Sequence, residues 1–154
     1  MARKTTTPIS IGLNHRQIFV DTGGWISVEC KGDKYHSAGS SYYSDLLRSD
    51  AQLLTSDYVL DETITRLKYD VGFDIAEECW MRVKEAERSG RLIVLDVDGT
   101  VRDAAFEILR KYHDQKISFT DCASFVLAQR EKVEAVFAFD HHFRLFGLIM
   151  EPVP

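Results

Sequence analysis

The sequence predicts an α/β domain built on a largely parallel sheet, and two observations support this fold class. Short runs of β-branched, aromatic and aliphatic residues alternate along the chain with segments whose apolar residues recur at helical spacing. The 154 residues are also enough for one domain with a sizeable core. We therefore expect residues 15–154 to form a single domain and residues 1–14 to form a flexible tail.

The chain opens with a predicted strand and two predicted helices. The strand covers Gln17–Val20 and runs directly into Asp21, which is followed by a Gly-Gly pair. Because paired glycines interrupt regular structure, the first helix is expected to begin only at about Trp25. A second helix is predicted over roughly Ser37–Arg48, after a polar loop.

The next unit is a second strand with a helix behind it. Gln52–Thr55 is a short apolar stretch, and Ser56 and Asp57 after it are good candidates for a helix N-cap. The helix that they would start carries an apolar stripe at i, i+4 spacing, formed by Val59, Leu60, Thr63, Ile64 and Leu67. Glu62 lies on this helix, away from the centre of the stripe.

The second half of the chain repeats the alternation. A helix is predicted over Asp74–Ser89, with Gly90 placed to end it. Leu92–Leu95 is the third strand, and Val101–Tyr112 has the clearest helical period in the chain. Ser118 or Thr120 can cap a further helix, whose first turn holds Asp121 and whose body covers 123–129. Two last strands are predicted, over Val136–Phe139 and Leu148–Met150.

Composition excludes several classes of protein. The net charge of −5 argues against a protein that holds nucleic acid by charge alone, although bound cations could neutralise an acidic site locally. No apolar run approaches the roughly 20 residues that span a bilayer, and the N-terminus does not resemble a signal peptide, so a cytoplasmic location is expected. The cysteines are widely spaced and suggest neither a disulfide framework nor a zinc site: Cys30, Cys79 and Cys122.

Four acidic residues occupy positions at which parallel α/β proteins bind ligands. Asp21 and Asp140 follow strand-like runs, Asp121 opens a helix, and Glu62 lies early in a helix that follows a strand. Unpaired carboxylates brought together are costly unless they are protonated or bind cations. Oxygen ligands in this number suit Mg²⁺ or Mn²⁺, and the associated chemistry is phosphodiester hydrolysis by metal-activated water.

The segments around these four acids resemble those of PIN domains, in the order and with the spacing typical of that family. The four segments are Ile18–Trp25, Val59–Thr63, Ile117–Ala123 and Val136–Phe143. Together they cover nearly the whole chain, roughly residues 17 to 150. One position departs from the pattern, since Ala138 stands two residues before Asp140 where the family often has threonine or serine.

The resemblance implies a three-layer sandwich with a central, largely parallel sheet flanked by helices. It implies a ribonuclease that depends on Mg²⁺ or Mn²⁺, with Asp21, Glu62, Asp121 and Asp140 as catalytic residues and metal ligands. Many family members of this size are VapC-like toxins that form dimers and are held inactive by a small antitoxin. An RNA substrate, an antitoxin partner and a homodimer are therefore expected.

Two other readings remain open at this point. Leu95–Thr100 matches the DxDGT signature of haloacid-dehalogenase-like phosphatases, which would make Asp96 the nucleophile and Asp98 the acid/base. The same residues also fit a turn in which Thr100 caps the next helix. The second alternative function is a PIN-fold module that binds RNA or a protein partner without cleaving.

Several smaller features lie near the proposed metal ligands. His141 and His142 follow Asp140 and could act at the site, because histidine titrates near neutral pH. Asp61, beside Glu62, is expected to face elsewhere, since neighbouring helical residues diverge by about 100°. Thr22 and Ser118 fit either a contact to water or phosphate or a helix cap. Cations at Arg66, Lys68 and Arg144, and in the tail at Arg3 and Lys4, could contact an RNA backbone.

Overall fold

A computed structural model describes residues 15–153, and within them the chain forms a parallel sheet of five strands. The strands are β1 (Gln17–Val20), β2 (Gln52–Ser56), β3 (Leu92–Leu95), β4 (Ala135–Phe137) and β5 (Met150–Glu151). Their order across the sheet is β3-β2-β1-β4-β5, and every neighbouring pair is parallel. The predicted fold class is confirmed. The predicted tail, residues 1–14, lies outside the described residues.

Helices flank the sheet and form the outer layers of the predicted sandwich. Across residues 15–153 they are α1 (Thr22–Glu29), α2 (His36–Arg48), α3 (Asp57–Asp70), α4 (Phe73–Arg88), α5 (Gly99–Lys111), α6 (Phe119–Arg130) and α7 (His142–Leu145). Among these described helices, none is both long and apolar enough to cross a membrane.

The core is centred on β1. Ile18, Phe19 and Val20 are all 0% exposed, because β1 lies between β2 and β4 and is covered by helices. Such continuous apolar runs are typical of parallel strands that are buried on both faces. Phe137 of β4 is buried beside them. This central position fixes the end of β1, and with it the residue that follows, Asp21.

The first helix begins earlier than the sequence suggested. It starts at Thr22, directly after β1, rather than at about Trp25. The Gly-Gly pair is part of this helix, and Gly24 serves close packing: a Cβ there would lie 2.5 Å from the carbonyl oxygen of Phe137. Gly24 therefore lets α1 pack tightly against β4, and the Gly-Gly pair does not interrupt the helix.

The C-terminal strands also differ from prediction. Strand β4 ends at Phe137, so Asp140 lies in a loop after the strand and not at its last position. Strand β5 covers Met150–Glu151, later than the predicted 148–150. Strand β5 is short: it pairs with β4 only at Met150 and Glu151.

Side-chain caps explain several helix starts. The Ser56 hydroxyl accepts a hydrogen bond from the backbone N–H of Val59, so Ser56 caps α3 as predicted. The prediction that Thr100 caps α5 is wrong: the cap is Asp98, whose carboxylate accepts from the N–H of Val101 at 2.9 Å. Asp98 occupies that position because the helix begins one residue before Thr100.

Candidate metal centre

One pocket brings the four predicted acidic residues together. It has a volume of about 400 Å³, and Asp21, Glu62, Asp121 and Asp140 all line it. The pocket lies beyond the carboxyl ends of β1 and β4, which are neighbours although two strands separate them in the sequence. Crevices of this kind, where the strand order reverses, are the usual ligand sites of open parallel sheets.

Asp21 is the most buried of the four acids. It follows β1 directly, is 5% exposed, and is held by a hydrogen bond from its backbone N–H to the carbonyl of Phe137. Burial and, to a smaller extent, the negative charge of Asp121 raise the pKa of Asp21 to about 8. A carboxyl group in this position therefore binds either a proton or a cation near neutral pH.

Glu62 reaches the pocket from α3. The hydroxyl of Thr22 donates a hydrogen bond to its Oε2 at 3.2 Å, and Nη1 of Arg66 lies 3.9 Å from its Oε1. The pKa of Glu62 is raised, chiefly by burial and then by the charge of Asp121. Thr22 therefore contacts a pocket carboxylate directly, and it is not the cap of α1, because the N-cap residue is Asp21. The predicted contact from Thr22 to water or phosphate stays a prediction.

Asp121 is fixed by the start of α6. Its carboxylate accepts a hydrogen bond from the backbone N–H of Ser118 at 2.9 Å, and the Ser118 hydroxyl accepts from the N–H of Asp121 at 3.0 Å. This reciprocal pair is a capping box. Burial raises the pKa of Asp121, and the Ser118 hydrogen bonds oppose that rise. Ser118 is thus the helix cap and orients a pocket carboxylate at the same time.

His142 adds a nitrogen ligand candidate to the acidic cluster. Its Nδ1 lies 2.7 Å from Oδ1 of Asp140, and its backbone N–H donates to the same oxygen at 3.1 Å. One ligand atom each from Asp121, Asp140 and His142 lies within 4.8 Å of the others. His141, by contrast, faces a different pocket. The sequence signal that distinguishes them is the Asp-x-His spacing, which lets the histidine fold back on the aspartate.

Two cations line the pocket together with the acids. Arg66 was among the candidates from the sequence, whereas Lys116 has no local pattern that singles it out. Arg144 lines a different pocket. The donor set of carboxylate oxygens suits Mg²⁺ or Mn²⁺. The pKa values of Asp21, Glu62 and Asp121 are all raised, chiefly by burial and also by neighbouring carboxylates, so a bound cation would lower the cost of ionising these groups.

The residues of the phosphatase-like motif play a structural part. Asp98 caps α5, and Asp96 is exposed; neither lines the carboxylate pocket. The loop between them is held by Asp57, whose carboxylate accepts a hydrogen bond from the backbone N–H of Val97 at 3.0 Å. Asp61 lines yet another pocket, between α3 and α4, as expected of a bystander to Glu62. The motif is therefore a strand-to-helix turn.

A carboxylate cluster beyond the ends of parallel strands, on this three-layer fold, is typical of a metal-dependent nuclease. The comparisons with known proteins agree: residues 18–147 match the model of the PIN domain family. The match spans most of the chain, and this protein belongs to the PIN domain family.

One relative of this chain is an endonuclease that is described as a toxin. The 23S rRNA-specific endonuclease VapC20 of Mycobacterium tuberculosis is 26% identical over 136 residues, which cover 86% of this chain and 95% of that protein. The crystal structure of VapC20, described as a sarcin-ricin loop cleaving toxin, superposes with a TM-score of 0.75 at 26% identity, covering 86% of this chain and 96% of that one.

Two more distant structures share the fold. VapBC2 from Rickettsia felis, bound to a DNA fragment from its promoter, gives a TM-score of 0.63 at 14% identity, over 88% of this chain and 97% of that one. FitAcB from Neisseria gonorrhoeae gives 0.62 at 16% identity, over 86% and 95% of the two chains. At these identities the likeness concerns the fold alone.

Proposed function

We propose that this chain is a VapC-like ribonuclease toxin in which Asp21, Glu62, Asp121 and Asp140 hold Mg²⁺ or Mn²⁺. The observation that carries the proposal is the convergence of these four acids, from four separate segments, on one pocket of about 400 Å³. The raised pKa of Asp21, about 8, supports it, because such a group gains most from a bound cation.

The pocket residues have different roles in the proposed hydrolysis. When bound, a divalent cation polarises the phosphoryl oxygen and lowers the pKa of a water molecule. Thr22 orients Glu62 through its hydroxyl, and Ser118 orients Asp121 through the capping box. Arg66 and Lys116 supply positive charge that attracts a phosphodiester to an otherwise acidic site.

In the proposed reaction, His142 and Asp140 together can transfer protons. The two side chains are close enough to share a proton, with Nδ1 and Oδ1 separated by 2.7 Å. Histidine is suited to giving up or taking a proton near neutral pH. The pair is placed to hold the proton that leaves the attacking water, or to return one to the departing oxygen.

The substrate and partners follow by analogy with the relatives. VapC20 is named for cleavage of 23S rRNA, and we propose a structured ribosomal RNA as the substrate here. The related VapBC and FitAB structures support a small antitoxin as partner. A homodimer and a cytoplasmic location complete the proposal.

The proposal is tested by RNA cleavage with antitoxin-free protein. Labelled total ribosomal RNA is incubated with Mn²⁺, Mg²⁺ or EDTA, using wild-type protein and the variants Asp140→Asn and Asp96→Asn. We expect metal-dependent cleavage by the wild type and by Asp96→Asn, and at least a hundredfold loss in Asp140→Asn, as is typical on removal of an essential electrostatic group. Cleavage that persists in EDTA, or that depends on Asp96, would contradict the assignment.

A further inference from the structure

A second pocket adjoins the carboxylate pocket and is used by nothing described so far. It has a volume of about 410 Å³, within the range of pockets that hold small organic groups. Apolar and aromatic side chains from the start of α2, the segment after β4 and the C-terminal strand region line it, among them Tyr35, Ala138, Phe139, Leu148 and Met150. We call it the aromatic pocket.

The aromatic pocket contains two stacked rings. The centroids of Tyr35 and Phe139 are 4.3 Å apart, and their planes differ by 4°. Both side chains are only partly buried, so the stack borders the open volume. Flat, parallel aromatic surfaces beside a cavity are suited to accept a planar heterocycle by stacking.

Two cationic side chains lie close to the two rings. Nζ of Lys34 lies 4.8 Å from the centroid of the Tyr35 ring, and Arg144 lines the pocket. A chain with a net charge of −5 therefore places two cationic side chains beside an apolar cavity. Cationic side chains add nothing to the binding of an apolar peptide segment, whereas they attract the phosphates on either side of a nucleobase.

One short segment joins the two pockets. Asp140 lines the carboxylate pocket, while Phe139 before it and His141 after it line the aromatic pocket. Since consecutive Cα atoms are about 3.8 Å apart, the linings of the two pockets meet along this segment. A nucleotide chain with its phosphate at the acids can place a neighbouring base against the rings.

We propose that the aromatic pocket binds one unpaired nucleobase of the RNA, next to the phosphate that is cleaved. The proposal rests on the proposed function in taking RNA as the ligand. Single-stranded bases in RNA loops are commonly recognised by stacking on aromatic side chains and arginine planes. The pocket thus favours RNA that has an unpaired base near the cleaved bond. Such a base can leave the base stack and enter the pocket.

Binding without cleavage tests this directly. Affinities for a short labelled single-stranded RNA, and for the same RNA with one base removed at each position in turn, are measured by fluorescence anisotropy in EDTA. The proteins are the wild type, Tyr35→Leu, Tyr35→Phe and the control Tyr69→Leu, whose side chain is 78% exposed on α3. Thermal melts verify that each variant is folded.

For wild-type protein we expect loss of one particular base to weaken binding by about 5- to 150-fold, the range of a single base–aromatic stack. Tyr35→Leu should bind intact RNA more weakly and no longer distinguish it from that base-free RNA. Tyr35→Phe and Tyr69→Leu should behave as wild type.

Three results separate the possibilities. Tyr35→Leu that binds and distinguishes the RNAs as wild type does would overturn the proposal. Unchanged RNA binding by Tyr35→Leu, together with escape from inhibition by a protein partner, would also overturn it and assign the pocket to that partner. Base-dependent binding by a wild-type protein that cleaves nothing with Mn²⁺ would support the pocket while refuting the proposed nuclease function.

Discussion

Replacing Asp21 by asparagine should stabilise the metal-free protein at neutral and alkaline pH. The pKa of Asp21 is about 8 in the folded state, against 3.8 ordinarily. Between these values the folded protein binds a proton that the unfolded chain has lost, so stability falls as pH rises from about 4 to 8. Asparagine does not titrate, so the stability of the Asp21→Asn variant does not fall in this way as the pH rises.

The size of the effect follows from the shift in pKa. pH 7 lies about three pH units above the ordinary pKa of 3.8, and each unit corresponds to about 1.36 kcal/mol. Keeping Asp21 protonated in the metal-free fold therefore costs about 4 kcal/mol at this pH. For a domain of this size, 1 kcal/mol changes the melting temperature by about 2–4 °C. We expect the melting temperature to rise by about 8–16 °C, less the cost of the buried amide.

Thermal melts at pH 5, 7 and 8.5, in EDTA and in Mn²⁺, measure the prediction. Asp61→Asn is the matched control, because Asp61 is an exposed acid on α3 that lies outside the carboxylate pocket. In EDTA, the advantage of Asp21→Asn over wild type should grow from pH 5 to pH 8.5. In Mn²⁺, wild type should gain stability and Asp21→Asn should not. Equal stabilisation of both proteins by Mn²⁺, or an advantage that shrinks with pH, would refute this reasoning.

Three further predictions concern the support of the site. Thr22→Val removes a hydroxyl that donates to a pocket carboxylate and should weaken Mn²⁺ binding about tenfold in a calorimetric titration, while Thr22→Ser should not. Ser118→Ala removes the α6 cap and should lower the free energy of unfolding in urea by about 1 kcal/mol; no loss would mean that the capping box is dispensable. Gly24→Ala should lower the same quantity by about 1–3 kcal/mol because its Cβ meets a β4 carbonyl at 2.5 Å. Gly23→Ala, whose Cβ meets its nearest atom at 3.8 Å, is the control, and equal losses would contradict the packing argument.

The sequence was informative wherever a physical requirement is local. Strand β1 covers the predicted Gln17–Val20 because a strand that is buried on both faces needs an uninterrupted apolar run. The caps at Ser56 and Ser118 were also predictable, since each requires one side chain near the end of its own helix. Asp21 could be found as a pocket residue because strand ends in a parallel sheet meet at one edge.

What the sequence did not reveal depends on contacts between distant segments. The Gly-Gly pair was taken as a break, because the close approach of Gly24 to β4 is visible only when the two elements are packed together. Lys116 lies in a loop with no periodic pattern, and its place in the carboxylate pocket depends on how α6 packs. The stack of Tyr35 on Phe139 joins residues about a hundred positions apart, which no local pattern encodes.

The segment that joins the two pockets limits how the RNA target preference of such a protein can change. Phe139 and Asp140 are neighbours in the chain but line different pockets, so a backbone change that adapts one disturbs the other. Tyr35 belongs to a separate part of the chain, just before α2, and a change there can reach Asp140 only through the ring of Phe139. Evolution of a new target preference is therefore expected to proceed first through Tyr35 and its surroundings, leaving turnover intact, and only later through the shared segment.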